Sequence, residues 1–347
     1  MVRADEGVGF LLRYENVAWY EDGAVRILDR RIYPVRTEYV VCRHYGEVAQ
    51  AIADMVTQSG GPFLAAAMGM ALAAYEARDL PEAALLARLE EAADTLAHAR
   101  PTTAAKMERV TARAMDAARA ALAAGRTGLN LVEALRENAV NQINENYIRY
   151  EAIGKLLADK IPQGGTIMTQ CFAETVVGTV LRECRRRGNL VKVICPETRP
   201  YFQGARLTAS VACDMGFDVT VISDNMPGYV MEKKQVDLFT SAADVITLDG
   251  HIINKVGTFQ IALAASYWGI PYYVTGSPNP SHPDCSSVVI EERDPLLVMD
   301  AMGTRTTLEG VRGYYPAFDV TPPKLCDGVI TEKGIFSPFD LKRYFAS

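Results

Sequence analysis

The sequence predicts an α/β protein in which a small N-terminal strand-rich piece and a helical domain precede a Rossmann-like domain with a parallel sheet. Aromatic and β-branched residues dominate residues 8–42, and helical patterns dominate residues 45–160. From residue 164 onward, short β-rich runs alternate with helical runs, which is typical of parallel strands joined by crossover helices. The chain has 347 residues, so we expect two domains, residues 1–160 and 161–347.

The strand-rich piece contains Asp22-Gly23 between two β-like runs, which predicts a hairpin turn. In the helical region, the segment 81–98 opens with Pro81, a residue favoured in the first turn of a helix. Leucines at helical spacing follow it. The sequence therefore predicts a hairpin followed by a helical bundle.

The helical pattern is interrupted at Arg100-Pro101-Thr102 and resumes through residue 124, where Gly125 is well placed to end a helix. A second long helix is predicted over residues 130–160, with Asn130 as its N-cap. Its apolar stripe recurs at every fourth position: Leu135, Ala139, Ile143 and Tyr147.

In the second half of the chain, the sequence pattern predicts five strands, and each of the first four is followed by a helix. These pairs are 166–170 with 175–187, 190–195 with 206–215, 218–223 with 226–233, and 244–248 with 257–268, and the last strand is 271–275. Ligands of open parallel sheets bind beyond the carboxyl ends of the strands. Residues just after each strand are therefore the first candidates for a functional site.

Composition excludes several classes of function. The net charge is −6, so no basic surface indicates nucleic-acid binding. No apolar run is long enough to cross a membrane. The first residues contain two acids and no apolar stretch, unlike a signal peptide. We expect a cytoplasmic protein that binds neither nucleic acid nor membrane.

The seven cysteines and four histidines are scattered along the chain. An odd number of cysteines without a CxxC pair is typical neither of a disulfide framework nor of a zinc site. The histidines are too dispersed to indicate a metal cluster. We expect reduced thiols and no metal site.

Two residues at predicted strand ends suit acid–base chemistry. Cys171 follows the strand 166–170 and precedes a helix, and the N-terminus of a helix stabilises a thiolate. Its alternative role is that of a buried core cysteine. Asp244 lies among apolar residues, where a carboxylate is costly unless it is paired or used. Its alternative role is a strand-end cap or an ion pair.

Several further residues suit a small polar ligand. Gly60-Gly61 precedes an apolar helix and offers backbone amides to an anion, although the same pattern occurs in ordinary loops. Arg100 is a candidate cation, or an ordinary surface arginine. Gln203 and Asn254-Lys255 add polar groups near other strand ends.

Taken together, several segments resemble the methylthioribose-1-phosphate isomerases, a family that includes the archaeal ribose-1,5-bisphosphate isomerases. More distant relatives are the regulatory α, β and δ subunits of the translation-initiation guanine-nucleotide exchange factor. The resemblance covers nearly the whole chain. It is carried by YENVAWYEDGAVRILDRRIYPVRTEYVVC, GGTIMTQC, PETRPYFQGARLTA, ISDNM, AADVITLDGHIINKVGT and YYPAFDVTPPKLCDGVITEKG.

The resemblance implies a homodimer, a role in methionine salvage and a set of functional residues. Cys171 matches the catalytic cysteine of the family, and Asp244 matches the aspartate of its Gly-Ala-Asp motif. Arg100 matches a phosphate-binding arginine. Substrate-binding positions are matched by Gln203, Asn254 and Lys255, and the phosphate loop by Gly60 and Gly61.

Three departures from the family pattern surround these positions. The Arg-Gly-Ala-Pro phosphate loop is Ser59-Gly60-Gly61-Pro62 here, so one arginine is missing. Thr-His-Cys-Asn becomes Thr169-Gln170-Cys171-Phe172, and Gly-Ala-Asp-Arg becomes Ala242-Ala243-Asp244-Val245. The matched pair is retained while its neighbours differ, which favours an isomerase with an altered substrate preference.

The function that the resemblance implies is conversion of a 5-substituted ribose 1-phosphate, methylthioribose 1-phosphate first, to the ribulose 1-phosphate. In a proton-transfer route, the Cys171 thiolate moves the C2 proton to C1 and a protonated Asp244, held neutral by an apolar site, exchanges protons with substrate oxygens. In the alternative route a hydride shifts directly and Cys171 stabilises the migrating centre. Neither route needs a metal or an organic cofactor.

Other functions stay open at this point. The substrate alternatives are 5-deoxyribose 1-phosphate, ribose 1,5-bisphosphate and an unphosphorylated thiosugar. A methylthio group needs an apolar pocket, for which Phe63, Met168 and Phe172 are candidates that core packing explains equally well. A different class of function is a non-catalytic regulatory subunit like those of the exchange factor.

Overall fold

The structure is a computed structural model that describes residues 3–100, 104–234, 236–301 and 303–346. Its contacts divide the chain into two compact units, Met1–Ile148 and Arg149–Ser347. The predicted domain boundary at 160/161 falls shortly after the long helix that runs across this division. The α/β class with an N-terminal sheet, a helical region and a mostly parallel sheet is confirmed.

After a 3-10 turn at Phe10–Leu12, the N-terminal unit has a short helix and a three-stranded antiparallel sheet: α1 (Tyr14–Val17), β1 (Ala18–Glu21), β2 (Ala24–Leu28) and β3 (Tyr39–Cys42). The predicted hairpin turn joins β1 to β2. Asp22 and Gly23 have φ of 49° and 74°, the left-handed pair that a two-residue hairpin turn requires.

Among the described residues, five α-helices follow: α2 (Tyr45–Ala53), α3 (Gly61–Ala77), α4 (Glu82–Ala97), α5 (Ala104–Ala123) and α6 (Leu129–Ala158). Helix α3 is apolar on nearly every face and forms the centre of the core of this unit. A helix that is apolar all round must be enclosed, and this one is covered by the N-terminal sheet, α2, α4 and α5.

Helix ends differ slightly from the prediction. Pro81 is the N-cap of α4 rather than a residue of its first turn. Helix α6 begins at Leu129, so Asn130 lies inside its first turn and is not the N-cap. Gly125 has φ of 72° and follows α5 by two residues, as predicted for a helix stop. Pro101 and Thr102 lie outside the described residues.

The C-terminal unit is built on a sheet whose strands, among the described residues, run in the order β15-β14-β10-β7-β4-β5-β6. All neighbouring pairs are parallel except β14 with β15. The strands are β4 (Thr166–Met168), β5 (Lys192–Pro196), β6 (Asp218–Ile222), β7 (Leu238–Ala242), β10 (Tyr272–Thr275), β14 (Gly328–Thr331) and β15 (Gly334–Phe336).

The prediction that residues 244–248 form a strand of the parallel sheet is wrong. The strand of the main sheet is β7, which ends before Asp244, and residues after it form β8 (Val245–Ile246) in a second sheet. That sheet is antiparallel, with the order β13-β9-β8, and contains β9 (Ile252–Lys255) and β13 (Phe318–Thr321). Asp244 and Gly250 interrupt the apolar run, which therefore folds back as a hairpin instead of continuing as one strand.

Helices separate most strands of the main sheet: α7 (Thr175–Arg186), α8 (Ala209–Asp214), α9 (Pro227–Lys234) and α10 (Thr258–Trp268). A π-helical turn, Gly204–Thr208, leads into α8. The last part of the chain adds α11 (Leu296–Met299), β11 (Asp300–Ala301), β12 (Thr304–Arg305) and α12 (Arg343–Ala346). In the part of the chain that is described, no helix is long and apolar enough to span a membrane.

Candidate active site

Cys171 lies in a constrained loop after β4. Its backbone N–H donates to Thr198 Oγ1 at 3.2 Å, and its carbonyl accepts from Thr208 Oγ1 at 2.5 Å. Cys171, Glu174 and Thr198 all have positive φ, at 59°, 48° and 63°. Such strain in non-glycine residues concentrates at functional sites, where the surrounding structure holds it in place.

The thiol of Cys171 is harder to ionise than the sequence predicts. Burial raises its pKa to about 11, while the cation of Lys255 opposes the shift and the carboxylate of Asp244 adds to it. The backbone N–H of Phe172 and the charge of Arg293 lower it by smaller amounts. Helix α7 begins only at Thr175, so the expected stabilisation of a thiolate by the helix N-terminus is wrong.

Lys255 is the buried cation of this site. It lies in β9, is 4% exposed, and its Nζ is 4.6 Å from the centre of the Phe318 ring on the paired strand. Burial lowers its pKa, and the neighbouring Cys171 and Asp244 oppose that shift. An ammonium held near an aromatic face and a thiol is available to stabilise negative charge that forms on the sulfur.

Asp244 lies in the bend between β7 and β8, and its N–H donates to Ile253 O at 2.9 Å. Its side chain is exposed, yet it acts on both Cys171 and Lys255 electrostatically. We expected an apolar site that keeps this carboxyl protonated, and the exposed position does not provide one. The structure thus brings Cys171, Asp244 and Lys255 within electrostatic range of one another.

The two predicted amide side chains of this unit are buried. Gln203 is 5% exposed, and its Oε1 has no hydrogen-bond donor within the described part of the chain. Asn254 is also 5% exposed and donates from Nδ2 to Thr258 Oγ1 at 3.0 Å. A buried acceptor without a donor is costly, and a ligand hydroxyl would remove that cost.

Sequence reasoning missed three residues that the C-terminal segment brings to the site. Arg293 pairs with Glu291 through two hydrogen bonds, at 2.7 and 3.1 Å, and its charge acts on Cys171.

The other two residues are Tyr315 and Asp319. Burial raises the pKa of Tyr315 to about 12. Asp319 accepts from the backbone N–H groups of Gly257 and Phe259, so it caps α10, and burial raises its pKa to about 6. Tyr315 and Asp319 belong to the YYPAFDVT run, and the family resemblance of this run could have indicated that they lie at the site.

The predicted phosphate loop lies in the N-terminal unit. Gly60 is the N-cap of α3 and Gly61 its first residue. A Cβ on Gly61 would lie 1.8 Å from Thr57 Oγ1 and 3.2 Å from Arg30 Nη1, so glycine is required there for steric reasons. Ser59, at the position of the missing arginine, is exposed with φ of 60°.

Two arginines of this unit are relevant to that loop. Arg30 is fully buried and donates from Nη1 to Gln58 O at 2.6 Å, directly before the loop. The sequence did not predict this residue. Arg100 is half-buried after α4, and the prolyl and threonyl residues of its motif are outside the described residues. Of the candidates for an apolar pocket, Met168 and Phe172 are core residues, and Phe63 is half-buried.

Comparison with known proteins identifies the family to which the chain is similar. The model of the Initiation factor 2 subunit family matches residues 59–338. Methylthioribose-1-phosphate isomerase of Chloroflexus aurantiacus is 37% identical over 93% of this chain and 95% of its own length. The protein of the same name from Thermotoga petrophila is 36% identical, with coverage of 94% and 96%.

Two solved structures share the fold. The 5-methylthioribose 1-phosphate isomerase of Pyrococcus horikoshii OT3 has a TM-score of 0.84 at 28% identity, covering 96% of this chain and 98% of its own. The delta subunit of translation initiation factor eIF-2B from A. fulgidus has a TM-score of 0.82 at 31% identity, with coverage of 93% and 96%. The chain belongs to the Initiation factor 2 subunit family, among the relatives named methylthioribose-1-phosphate isomerase.

Proposed function

We propose that the protein is an aldose–ketose isomerase that converts methylthioribose 1-phosphate, or a closely related 5-substituted ribose 1-phosphate, to the ribulose 1-phosphate. The observation that carries the proposal is the half-buried Cys171 thiol, with the Lys255 cation and the Asp244 carboxylate in electrostatic range. The names of the relatives select the reaction among those that such a group of residues can catalyse.

The chemistry of the substrate requires both an acid and a base. The phosphate locks the anomeric carbon, so the bond between C1 and the ring oxygen must break before the carbonyl can move. The ring oxygen then needs a proton. C2 must lose its hydrogen, C1 must gain one and the C2 hydroxyl must lose its proton, which gives the 2-ketose.

We assign the role of acid from the protonation of Cys171 in the free protein, which leaves the role of base to Asp244. Cys171 is a thiol, so it donates its proton to the ring oxygen as the C1–O bond breaks. The Asp244 carboxylate takes the C2 proton, which leaves an enol phosphate, a thiolate beside Lys255 and a neutral Asp244. Asp244 then returns its proton to C1 while the thiolate takes the C2 hydroxyl proton. The ketose forms and both groups regain their starting protonation.

A direct hydride shift from C2 to C1 is the alternative route, in which Cys171 donates the ring-opening proton and its thiolate then takes the C2 hydroxyl proton. Turnover in D₂O separates the two routes. Proton transfer through Asp244, whose exposed carboxyl exchanges its proton with solvent before returning it, places solvent deuterium on C1 of the ketose, whereas a hydride shift leaves C1 with hydrogen from the substrate. The NMR signal of the C1 methylene reports which route operates.

Hydroxyl and phosphate groups of the substrate need further partners. We propose that Gln203 accepts a hydrogen bond from a sugar hydroxyl, because its Oε1 is buried without a donor among the described residues. Asn254 contributes the second amide at the end of β9. These two side chains would orient the sugar above the thiol.

For the phosphate, we propose the backbone of Gly60 and Gly61 together with Arg100. Arg30 would supply the charge that Ser59 lacks, because its Nη1 lies beside the first residue of α3. A helix N-terminus and a nearby guanidinium are the groups that proteins use for phosphate. We therefore propose that Arg30 replaces the family arginine that is missing at Ser59, so that phosphate binding is retained.

We further propose a cytoplasmic homodimer with 1–160 as the N-terminal domain and 161–347 as the catalytic domain, without nucleic acid or membrane as partner. The packed helices α9 and α10 support a dimer, since both expose large apolar side chains: Tyr229, Leu263, Tyr267 and Trp268. Light scattering of the purified protein would measure the mass of the assembly.

The test of the proposed function is an NMR assay with four sugars: methylthioribose 1-phosphate, 5-deoxyribose 1-phosphate, ribose 1,5-bisphosphate and free methylthioribose. Turnover of one phosphate identifies the 5-substituent. Turnover of the free sugar alone would contradict the phosphate site. Absence of any ketose, with stable binding to a larger assembly, would favour a regulatory subunit such as the eIF-2B relative.

A further inference from the structure

Three side chains that can bind a metal meet at the turn between β8 and β9. Asp249 and His251 flank Gly250 in this turn, and Cys285 opens a short 3-10 turn, Cys285–Ser287, in a later loop. One ligand atom from each of the three lies within 4.8 Å of the others. The sequence distance between the two segments is why spacing predicts no such cluster.

The backbone holds the two segments together without a metal. Leu248 N–H donates to His282 O at 2.9 Å, and Asn279 N–H donates to Ile246 O at 2.8 Å. Asp284, next to Cys285, caps the 3-10 turn by accepting from Ser286 N–H at 2.9 Å. The three ligand atoms therefore approach one another in a preorganised arrangement.

The distances suit a tetrahedral ion. His251 Nδ1 and Asp249 Oδ2 are 2.9 Å apart. Ligands at roughly 2.0–2.1 Å from Zn²⁺ in tetrahedral geometry lie roughly 3.3 Å from each other. The distance between His251 Nδ1 and Asp249 Oδ2 therefore needs to increase by only about 0.4 Å. Because a zinc–sulfur bond is longer, the Cys285 sulfur must lie farther from each of these two atoms than they lie from each other.

We propose that Asp249, His251 and Cys285 form a zinc site, in which His251 Nδ1, Asp249 Oδ2 and Cys285 Sγ bind Zn²⁺. The partial exposure of all three leaves a fourth position for water. Mixed sulfur, nitrogen and oxygen ligands favour Zn²⁺ over Mg²⁺ or Ca²⁺, which prefer oxygen alone. Binding replaces the Asp249–His251 hydrogen bond and releases the thiol proton to solvent.

The ion would fasten the turn of the β8–β9 hairpin to the loop that carries Cys285. Strand β9 continues from this turn to Asn254 and Lys255, so the zinc site would stabilise the strand that carries two proposed substrate residues. This role is separate from the isomerase chemistry and does not depend on it.

The test uses the full-length protein after chelator treatment and dialysis, titrated with Zn²⁺ by calorimetry and with Co²⁺ by absorption. We expect one equivalent of Zn²⁺ per chain and a thiolate-to-cobalt charge-transfer band. Cys285→Ser should abolish the band, and His251→Gln should weaken zinc binding by more than the roughly 10–100-fold that loss of an outer-shell partner costs.

Matched controls identify the site. Cys213→Ser and His98→Gln change an exposed cysteine and an exposed histidine elsewhere and should leave binding unchanged. Cys171→Ser should also retain the ion. Binding that survives both Cys285→Ser and His251→Gln, or that disappears with Cys171→Ser, would overturn the proposal, as would a stoichiometry well below one.

Discussion

Cys171 and Lys255 each shift the pKa of the other, in the direction opposite to the shift that burial causes. Burial raises the pKa of the thiol and lowers the pKa of the ammonium, whereas the charge of each partner favours the ionised form of the other. For the thiol the effect of burial prevails, and its pKa is about 11. The free protein therefore holds a thiol, ready to donate a proton, beside a group that stabilises the thiolate that remains.

Removal of the Lys255 charge should make the thiol still less acidic. In Lys255→Gln, we expect the pKa of Cys171 to rise further, because the main electrostatic opposition to burial is lost. Alkylation of Cys171 by iodoacetamide at pH 9, followed by mass spectrometry, should be slower than in the parent protein. Lys192→Gln, an exposed lysine of β5, is the control. Equal rates in all three proteins would contradict the coupling.

The pH dependence of kcat/KM distinguishes a thiol donor from a thiolate base. A group with a pKa raised to about 11 is in its thiol form at all lower pH. If the thiol donates the first proton, kcat/KM stays level between pH 7 and 10 and declines as pH rises through about 11. If the thiolate is required, the rate rises about tenfold per pH unit over the same range.

The first residue of α3 should tolerate no side chain. In Gly61→Ala, the added Cβ would lie 1.8 Å from Thr57 Oγ1, so the loop must move. We expect a loss of about 1–3 kcal/mol in the free energy of unfolding, measured with urea. Gly46→Ala in α2 is the matched control, because nothing lies within 4 Å of its Cβ, and it should gain about 0.5–1 kcal/mol. Equal effects would contradict the close packing at α3.

Arg30 should strengthen the binding of the substrate phosphate. Loss of a charge-assisted contact costs about 1.5–3 kcal/mol, so Arg30→Met should raise KM for the phosphorylated sugar by roughly 10–100-fold. Any effect on kcat should be smaller, because Arg30 is proposed to bind the phosphate and not to transfer a proton. Arg36→Met, at an exposed arginine nearby, is the control. An unchanged KM in a folded Arg30 variant would mean that other groups bind the phosphate.

The general plan of the chain was predictable from its sequence. The alternation after residue 164 predicted β4, β5, β6 and β10 with the helices that follow the first three, because crossover units carry their own local pattern. The Asp22-Gly23 turn was predictable because two left-handed residues permit few alternatives. Patterns within one element are therefore readable without tertiary information.

What could not be predicted depends on contacts between distant segments. The run 244–248 looks like a strand, but its pairing with β9 decides that only Val245–Ile246 is one. The raised pKa of Cys171 depends on burial, which position after a strand does not reveal. Arg293 reaches the thiol from a segment with no regular pattern. Each miss concerns a long-range contact.

Turnover of methylthioribose 1-phosphate by Cys171→Ser, followed by NMR, tests whether Cys171 carries the isomerase reaction. We expect a folded protein with the circular-dichroism spectrum of its parent and a rate at least about 1000-fold lower, because a serine hydroxyl is a far weaker proton donor. Cys213→Ser should turn over normally. Full activity in the folded Cys171→Ser protein would contradict the account.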